Sequence, residues 1–415
     1  MNSRTILHCD LNNFYASVEC ALDPSLEGKF VAVCGNQEHR HGIVLAKNQL
    51  AKTAGVATGD TIIEAQKKCP NLIVVPPHYE EYVNYAKKVH KIYKQYTDKI
   101  ESFGLDECWL DITDSQNLFG NGKTVADKLR EEVRQNTGLT ISVGVSFCKV
   151  FAKLGSDLKK PNATSVISKD NFKQIVWKLP VSDMLMIGKK TTEKLKKYKI
   201  FTLGDLANAD ENLLKYIFGI NGIQMKRWAN GQDETSVNKT EIILPIKSIG
   251  HSTTTVVDVK EFSAAKQVIW FLSDMVAARL RQNGLLARGV SLSIRYNDLS
   301  YTSKQTKLPY NSFDGGEIAK LAFRLLKEIW KGPMDIPLRL IGVNAFDLVE
   351  VAQNTQETLF DNHTDKNNNL NFTIDKIRKK YGYETMKKGI MLYNNVMTDK
   401  SPIENTEFLP FKKLN

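Results

Sequence analysis

Three acids stand where the chain could turn them toward one point. Asp10 closes a short β-prone run, RTILHCD at residues 4–10, and Asp106-Glu107 lies in the turn between the strand-like halves of IESFGLDECWLDI. If those strands are neighbours, three carboxylates converge with no His or Cys counted in the set. Such a set suits hard, oxygen-seeking cations, Mg²⁺ above all. Two ions about 3.5–4 Å apart would clamp the attacking and leaving oxygens of a phosphoryl transfer. Any one of these acids alone reads more simply as a surface or capping carboxylate.

Positioning the acids requires a layered α/β arrangement. NNFYASVE after Asp10 reads as a helix entry, FVAVCG as a strand, KNQLAKTAG and DTIIEAQKKC as short amphipathic helices, and LIVVPP as a further strand. Residues 79–98 have helical periodicity, the acid-bearing hairpin follows, 124–136 is an amphipathic helix, and LTISVGVSF is a buried strand. The pattern predicts an α/β sandwich with a small inserted unit. From about 165 the texture changes to short helices, and residues 167–240 carry 13 Lys/Arg against 8 Asp/Glu, a disproportionately basic stretch. After a linker at 233–246, strand and helix periods alternate as β-α-β-β-α-β over 247–348. Residues 349–415 read as a flexible tail with an Asn-rich linker, DNHTDKNNNLN, and a basic amphipathic stretch, IDKIRKKYG.

Composition bounds the function classes. A chain of 415 residues with 42% hydrophobic and 25% charged residues is an ordinary globular protein of several domains, which excludes fibrous and wholly disordered classes. Lys+Arg outnumber Asp+Glu by 57 to 46, a net charge of +11, so the chain favours a polyanionic partner; an anionic membrane surface fits the charge equally well. The six cysteines (Cys9, Cys20, Cys34, Cys69, Cys108, Cys148) have no metal-type spacing and read as buried thiols of a reducing compartment. Asp10 interrupts the N-terminal apolar stretch, so no signal peptide is expected, and no run reaches the roughly 18 apolar residues of a membrane span. The expectation is a soluble, cytoplasmic protein, nucleoid-associated when engaged on DNA.

Several motifs stand together in one order: DLNNFYASVE (10–19), AKNxxAKxxGV (46–56), LDECWLDI (105–112), SVGVS (142–146), FAK (151–153) and KPN (160–162). Over residues 4–350 this order resembles the Y-family translesion DNA polymerases, most nearly their bacterial DNA polymerase IV branch. The resemblance implies a right-hand polymerase with a ferredoxin-like palm at 1–23 and 76–166, fingers at 24–75, a helical thumb at 167–232 and a little finger at 247–348. It implies metal binding by Asp10, Asp106, Glu107 and the Leu11 carbonyl, with two Mg²⁺ ions and Mn²⁺ as a substitute. Tyr15 matches the steric gate that excludes a ribose 2′-hydroxyl, and the backbone around Phe14 should approach the triphosphate. Lys160 and Lys52 match basic groups that offset charge on the leaving pyrophosphate.

Departures from the family pattern matter too. Gln49 and Lys52 stand where many members pair Tyr with Arg, so a bidentate phosphate grip is lost and weaker nucleotide binding is expected. Ile43 and Leu45 match pocket-roof positions that are smaller in some relatives. Gly188, Lys189 and Lys190, and Gly219 and Gly222, resemble helix-hairpin-helix turns that offer backbone N–H groups to DNA phosphate, although Leu185-Met186 replaces the usual Pro-Gly. Lys247, Ser248 and Arg295 are the little-finger candidates for backbone contact. Residues 241–350 hold 14 Lys/Arg against 11 acids, so these charges must share one face to matter. Gln356, Leu359 and Phe360 in QETLF resemble the bacterial sliding-clamp peptide. The partners implied are primer-template DNA, deoxynucleoside triphosphates and the clamp, with a monomeric chain and no membrane. The rivals are a non-catalytic DNA-binding accessory of the same fold, which the intact Asp10, Asp106, Glu107 and Lys160 argue against, and a nucleotide cyclase on a similar palm, which Tyr15, the thumb and the little finger argue against.

Overall fold

The computed structural model describes residues 4–35, 42–240, 245–351, 364–382 and 385–391. They divide into two compact units, the break falling just after residue 240. The first begins β1(Ile6–Leu11), α1(Phe14–Leu22), β2(Val31–Cys34), β3(Val44–Lys47), α2(Gln49–Thr53), α3(Ile62–Lys68), β4(Ile73–Val75) and α4(Tyr79–Tyr93). It continues β5(Ile100–Ser102), β6(Glu107–Asp111), α5(Gln116–Phe119), α6(Gly122–Thr137), β7(Ile141–Ser146), α7(Lys149–Leu158) and β8(Thr164–Ile167).

The main sheet runs β5-β6-β1-β7-β8, with β1 antiparallel to both β6 and β7. Every residue of β1 is buried, because helices cover both faces of the sheet. Alternation then sorts its side chains. Leu7, Cys9 and Leu11 pack with Tyr82, Ala86 and Val89 of α4 and Val125 and Leu129 of α6. Each fully buried leucine here contributes roughly 1.5–3 kcal/mol. Ile6, His8 and Asp10 face the other way, toward α7, where Ile6 joins Trp109 and Ala152. α7 approaches so closely because Gly144 of β7 lacks a side chain: a Cβ there would sit 1.9 Å from the Ala152 carbonyl oxygen.

A smaller sheet, β3-β2-β4, carries α2 and α3 over a separate apolar cluster around Ala32, Val44, Ala51 and Ala65. Asn48 starts α2 by accepting from the Ala51 N–H, and a Thr61/Glu64 capping box starts α3. The helices α8(Phe172–Val176), α9(Lys189–Lys197), α10(Leu203–Asn208), α11(Glu211–Phe218) and α12(Ile220–Ala229) share a core with Val150, Phe151 and Leu154 of α7. One helix therefore binds the basic helical region to the sheet. The stretch expected as a linker from 233 is docked over its first half. Asp233 accepts from the Val150 N–H at the head of α7, Arg4 donates to the Thr235 carbonyl, and the Asn238 N–H donates to Glu101.

The second unit is β9(Ser248–Val259), α13(Phe262–Gln282), β10(Leu285–Tyr296), β11(Tyr301–Ser312), α14(Gly315–Ile329) and β12(Leu338–Glu350), the order the periodicity predicts. Its four strands run β11-β10-β12-β9, all antiparallel, with both helices on one face. The expectation of a flexible tail needs correction over part of its length. Residues 364–381 form a helix, α15(Thr364–Tyr381), and Met391 is buried against the α13/α14 core. The Asn-rich start has poor helix propensity, but tertiary partners override it. Asp375 takes Arg281 bidentately at 2.6 and 2.8 Å, Arg378 donates to Asp274 at 2.6 Å, and Phe372 meets Phe313. All six cysteines are free thiols, five buried and Cys20 half-buried. No described helix is long and apolar enough to cross a membrane.

Candidate active site

The fold brings the three acids together at the end of β1. Asp10 and Glu107 are register partners across β1 and β6, and the Leu11 N–H donates to the Asp106 carbonyl at 2.9 Å. Asp10 is 5% exposed. Burial pushes its carboxyl up to about 6, although Lys160 opposes the shift. Asp106 is likewise raised, by burial first and by Glu107 second. Burial would also raise Glu107, but His8 and Lys153 outweigh it and hold that carboxyl down near about 2.

Ammonium groups meet these acids directly. Lys160 Nζ lies 2.7 Å from Asp10 and 2.8 Å from Asp157, while Lys153 Nζ lies 2.8 Å from Glu107 and 3.6 Å from Asp10. Lys153 and Asp157 are one turn apart on α7, and Lys160 follows immediately after that helix. Asn12 ties this loop to the β1 end: its Oδ1 accepts from the Asn162 N–H at 2.8 Å, and its Nδ2 donates to Ser142 at 2.9 Å. As placed, no three His, Cys, Asp or Glu side chains among the described residues surround a point at metal-ligand distance. The donor chemistry nonetheless fits a divalent cation: one buried and two half-buried carboxylates at the ends of adjoining strands, which already gather positive charge at the spot.

Tyr15, at the first turn of α1, stands beside this cluster. Its ring stacks on Tyr82 at 4.1 Å and 9° and meets Tyr79 edge-on at 6.0 Å. Phe14 is buried behind it. Burial, then the neighbouring Asp106 charge, pushes the Tyr15 hydroxyl up to about 12, so it remains neutral. Tyr82 in turn donates to the buried Glu19, which also holds His78 at 2.9 Å. The ring of Tyr15 is therefore held by a packed aromatic stack with a buried carboxylate at its base.

The remaining candidates are placed more loosely. Gln49 and Lys52 lie exposed on α2, Ile43 is 42% exposed ahead of β3, and Leu45 within β3 is half-buried. Lys52 lies close enough to depress Lys47, whose pKa is lowered by burial first. Gly188, Lys189, Lys190 and Gly219 are exposed at the starts of α9 and α12. Gly222 differs from expectation. It is buried, its N–H is spent on the Gly219 carbonyl, and a Cβ would lie 2.2 Å from the Leu214 carbonyl oxygen. Its hydrogen is needed for α11 to pack on α12, and it offers nothing to a phosphate.

In the second unit, Lys247, Ser248 and Arg295 are exposed. Register puts Ser248 and Arg295 on the sheet face away from the helices, with Ser291, Ser293, Ser303, Gly342, Ser252 and Asn344 between them. The same face carries Phe346, Leu340 and Tyr301, so it is mixed in character, with its charge confined to a few positions. Gln356, Leu359 and Phe360 lie outside the described residues.

The sequence reading missed His8, Lys153, Asp157, Tyr82 and Glu19. The Lys153, Asp157, Lys160 spacing of four and three residues was the available signal: it continues the side of α7 that carries Lys153 and Asp157 into the following loop with alternating charge. His8 had a signal too, since strand alternation puts residues 8 and 10 on the same side.

Comparison with known proteins agrees with this geometry. Residues 9–157 match the impB/mucB/samB family, and residues 246–359 match the C-terminal domain of that family. The chain is 44% identical to DNA polymerase IV of Acetivibrio thermocellus over 94% of this chain and 98% of that relative. It is 36% identical to DNA polymerase IV 1 of Bacillus subtilis over 99% of each chain. A solved Y-family DNA polymerase chimera superposes with a TM-score of 0.73 at 25% identity, covering 83% of this chain and 99% of that one. Both matched segments, relatives spanning nearly the whole chain and the shared architecture lead to one assignment: the chain belongs to the impB/mucB/samB family of Y-family DNA polymerases, within its DNA polymerase IV branch.

Proposed function

We propose that this chain is a template-directed DNA polymerase that extends a primer 3′-hydroxyl with deoxynucleoside triphosphates and copies damaged templates with low fidelity. The observation that carries the reading is the joint placement of Asp10 and Glu107 as register partners with Lys160, Lys153 and the stacked Tyr15 around them.

Asp10, Asp106, Glu107 and the Leu11 carbonyl are the groups that would hold two Mg²⁺ ions, or Mn²⁺ in their place. When bound, the ions supply Lewis-acid stabilisation of the attacking and leaving oxygens. The chain's own residues do the rest. Tyr15, neutral and fixed by its stack, presents a ring edge where a ribose 2′-hydroxyl would have to fit, which selects deoxynucleotides by sterics. Lys160 and Lys52 carry fixed positive charge that offsets the charge growing on pyrophosphate as it leaves. Gly188, Lys189, Lys190, Gly219, Lys247, Ser248 and Arg295 suit sequence-independent contact with the DNA backbone. The QETLF peptide at 356–360 would dock on a bacterial sliding clamp, and the protein would work as a monomer in the cytoplasm, on the nucleoid.

The test is primer extension with Mg²⁺, supplying deoxy- or ribonucleotides to the wild type, Asp106→Ala and Tyr15→Ala. The expected result is deoxynucleotide extension by the wild type, none by Asp106→Ala, and ribonucleotide entry with Tyr15→Ala. A wild type that binds primer-template yet extends nothing would replace this reading with a DNA-binding accessory.

A further inference from the structure

Behind Glu107, on the side away from solvent, sits a buried histidine that the reaction as described does not use. His8 is 0% exposed and its Nε2 lies 3.4 Å from Glu107 Oε2. On the other side of the ring, Nδ1 is 2.8 Å from the buried Ser156 hydroxyl of α7. The ring plane is set by Trp109, edge-on at 5.1 Å. His8 Nε2 is buried without a well-formed hydrogen bond, and it faces Glu107 Oε2, the oxygen that Lys153 approaches at 2.8 Å.

The chemistry of the two neighbours selects a tautomer. Glu107 as a carboxylate only accepts, so Nε2 must carry the proton if the contact is to be favourable. Nδ1 is then an acceptor, and the Ser156 hydroxyl is the donor within reach. Ser156 also touches the Lys153 carbonyl at 2.7 Å, but that carbonyl lies within α7, where the helix ladder supplies its partner. The relay Ser156 O–H to His8 Nδ1, then His8 Nε2–H to Glu107, therefore satisfies each buried side chain with the protons available.

We infer that His8 is a positioning residue for Glu107, fixing the direction of that carboxylate through a Ser156–His8–Glu107 relay so that it is aimed before a divalent cation arrives. The inference rests on the proposed metal role of Glu107. At 3.4 Å the His8 contact is long for a hydrogen bond. A small turn of the Glu107 carboxylate would close it, and Oε2 is then shared between His8 and the Lys153 ammonium at 2.8 Å. Groups of this kind, bonded to a ligand and not to the metal, typically change metal affinity about 10–100-fold when removed.

The experiment measures Mn²⁺ binding to the full chain by electron paramagnetic resonance, without nucleotide turnover, for the wild type, Asp106→Ala, His8→Phe, His8→Gln and Ser156→Ala. Urea unfolding of each variant is followed in parallel. His8→Phe keeps a ring against Trp109 but has no N–H, whereas the Gln side-chain amide stands near the position of Nε2. Binding should weaken at least about 10-fold in His8→Phe, less in Ser156→Ala, where Nδ1 is free to take the proton, and least in His8→Gln. Folded His8→Phe that binds Mn²⁺ within twofold of the wild type overturns the inference while leaving the metal site intact. Wild-type binding that Asp106→Ala does not change overturns the metal role itself, and the inference with it. If His8→Phe does not fold, Ser156→Ala and His8→Gln decide: equal affinities in both and in the wild type refute the relay.

Discussion

The close approach of α7 to the main sheet makes Gly144→Ala a demanding test of how the site is assembled. A Cβ at this position would lie 1.9 Å from the Ala152 carbonyl oxygen, 2.4 Å from the Ser156 nitrogen and 2.8 Å from the Gly155 carbonyl carbon. All three are backbone atoms of one helix, so no side chain can swing aside. Relief requires α7 to move outward by about 1 Å or more, since close-packed interiors do not absorb such an overlap. The cost of overpacking is about 1–3 kcal/mol. The same shift carries Lys153 away from Glu107, now at 2.8 Å, and moves Ser156 off His8. A misplacement of about 1 Å at a reacting centre costs on the order of 100-fold in rate. Urea unfolding followed by circular dichroism gives the stability change, and primer extension by the folded protein gives the rate. Gly389→Ala, where a Cβ meets nothing within 4 Å, is the control. A Gly144→Ala protein with wild-type stability and wild-type extension would refute the claim that this glycine contact sets the site.

Four further outcomes follow from other contacts. Tyr82→Ala removes the stacking partner of Tyr15, worth about 0.5–1.5 kcal/mol, and should lower discrimination against ribonucleotides several-fold, measured as a ratio of kcat/KM values; Tyr82→Phe keeps the ring and should keep the discrimination. Arg378→Ala removes the 2.6 Å partner of the buried Asp274, which Lys388 also approaches at 3.3 Å, and should cost on the order of 3 kcal/mol in second-unit stability; an unchanged urea midpoint would mean that α15 is not bound through this pair. His251 is pushed down to about 4 by burial and, secondarily, by Arg279, so the unfolded chain takes up its proton first. Its contribution is complete above pH ~6.5 and is lost as pH falls toward 4, up to about 2 kcal/mol by pH 5; urea midpoints at pH 7 and pH 5 should differ less in His251→Gln than in the wild type. Lys52→Arg restores a planar fork and should tighten nucleotide binding in stopped-flow titration; no gain would mean that position 52 does not grip phosphate.

Much of this protein is legible in its residues taken in order. The periods of 2 and 3.6 predict β-α-β-β-α-β over 247–348, and that is the order found for the second unit. The carboxylates Asp10, Asp106 and Glu107 stand out because their types and their strand-end positions are local properties. Other features depend on groups distant in the chain. The Asn-rich 364–371 stretch is unpromising as a helix until Arg281 and Asp274, about a hundred residues earlier, supply partners for Asp375 and Arg378. Gly222 resembles a phosphate-contacting turn by motif, and only the approach of Leu214 shows that it serves packing.

The residue order alone shows which side chains are on offer: three carboxylates, a tyrosine in the same motif as the first of them, several lysines, and the alternation that sends residues 6, 8 and 10 to one side of the sheet. Tertiary structure decided which groups meet. His8 and Ser156 are separated by 148 positions, and Tyr82 and Glu19 by 63. Neither pairing has a local signal, because the first arises only when α7 packs on β1 and the second only when α4 packs against α1.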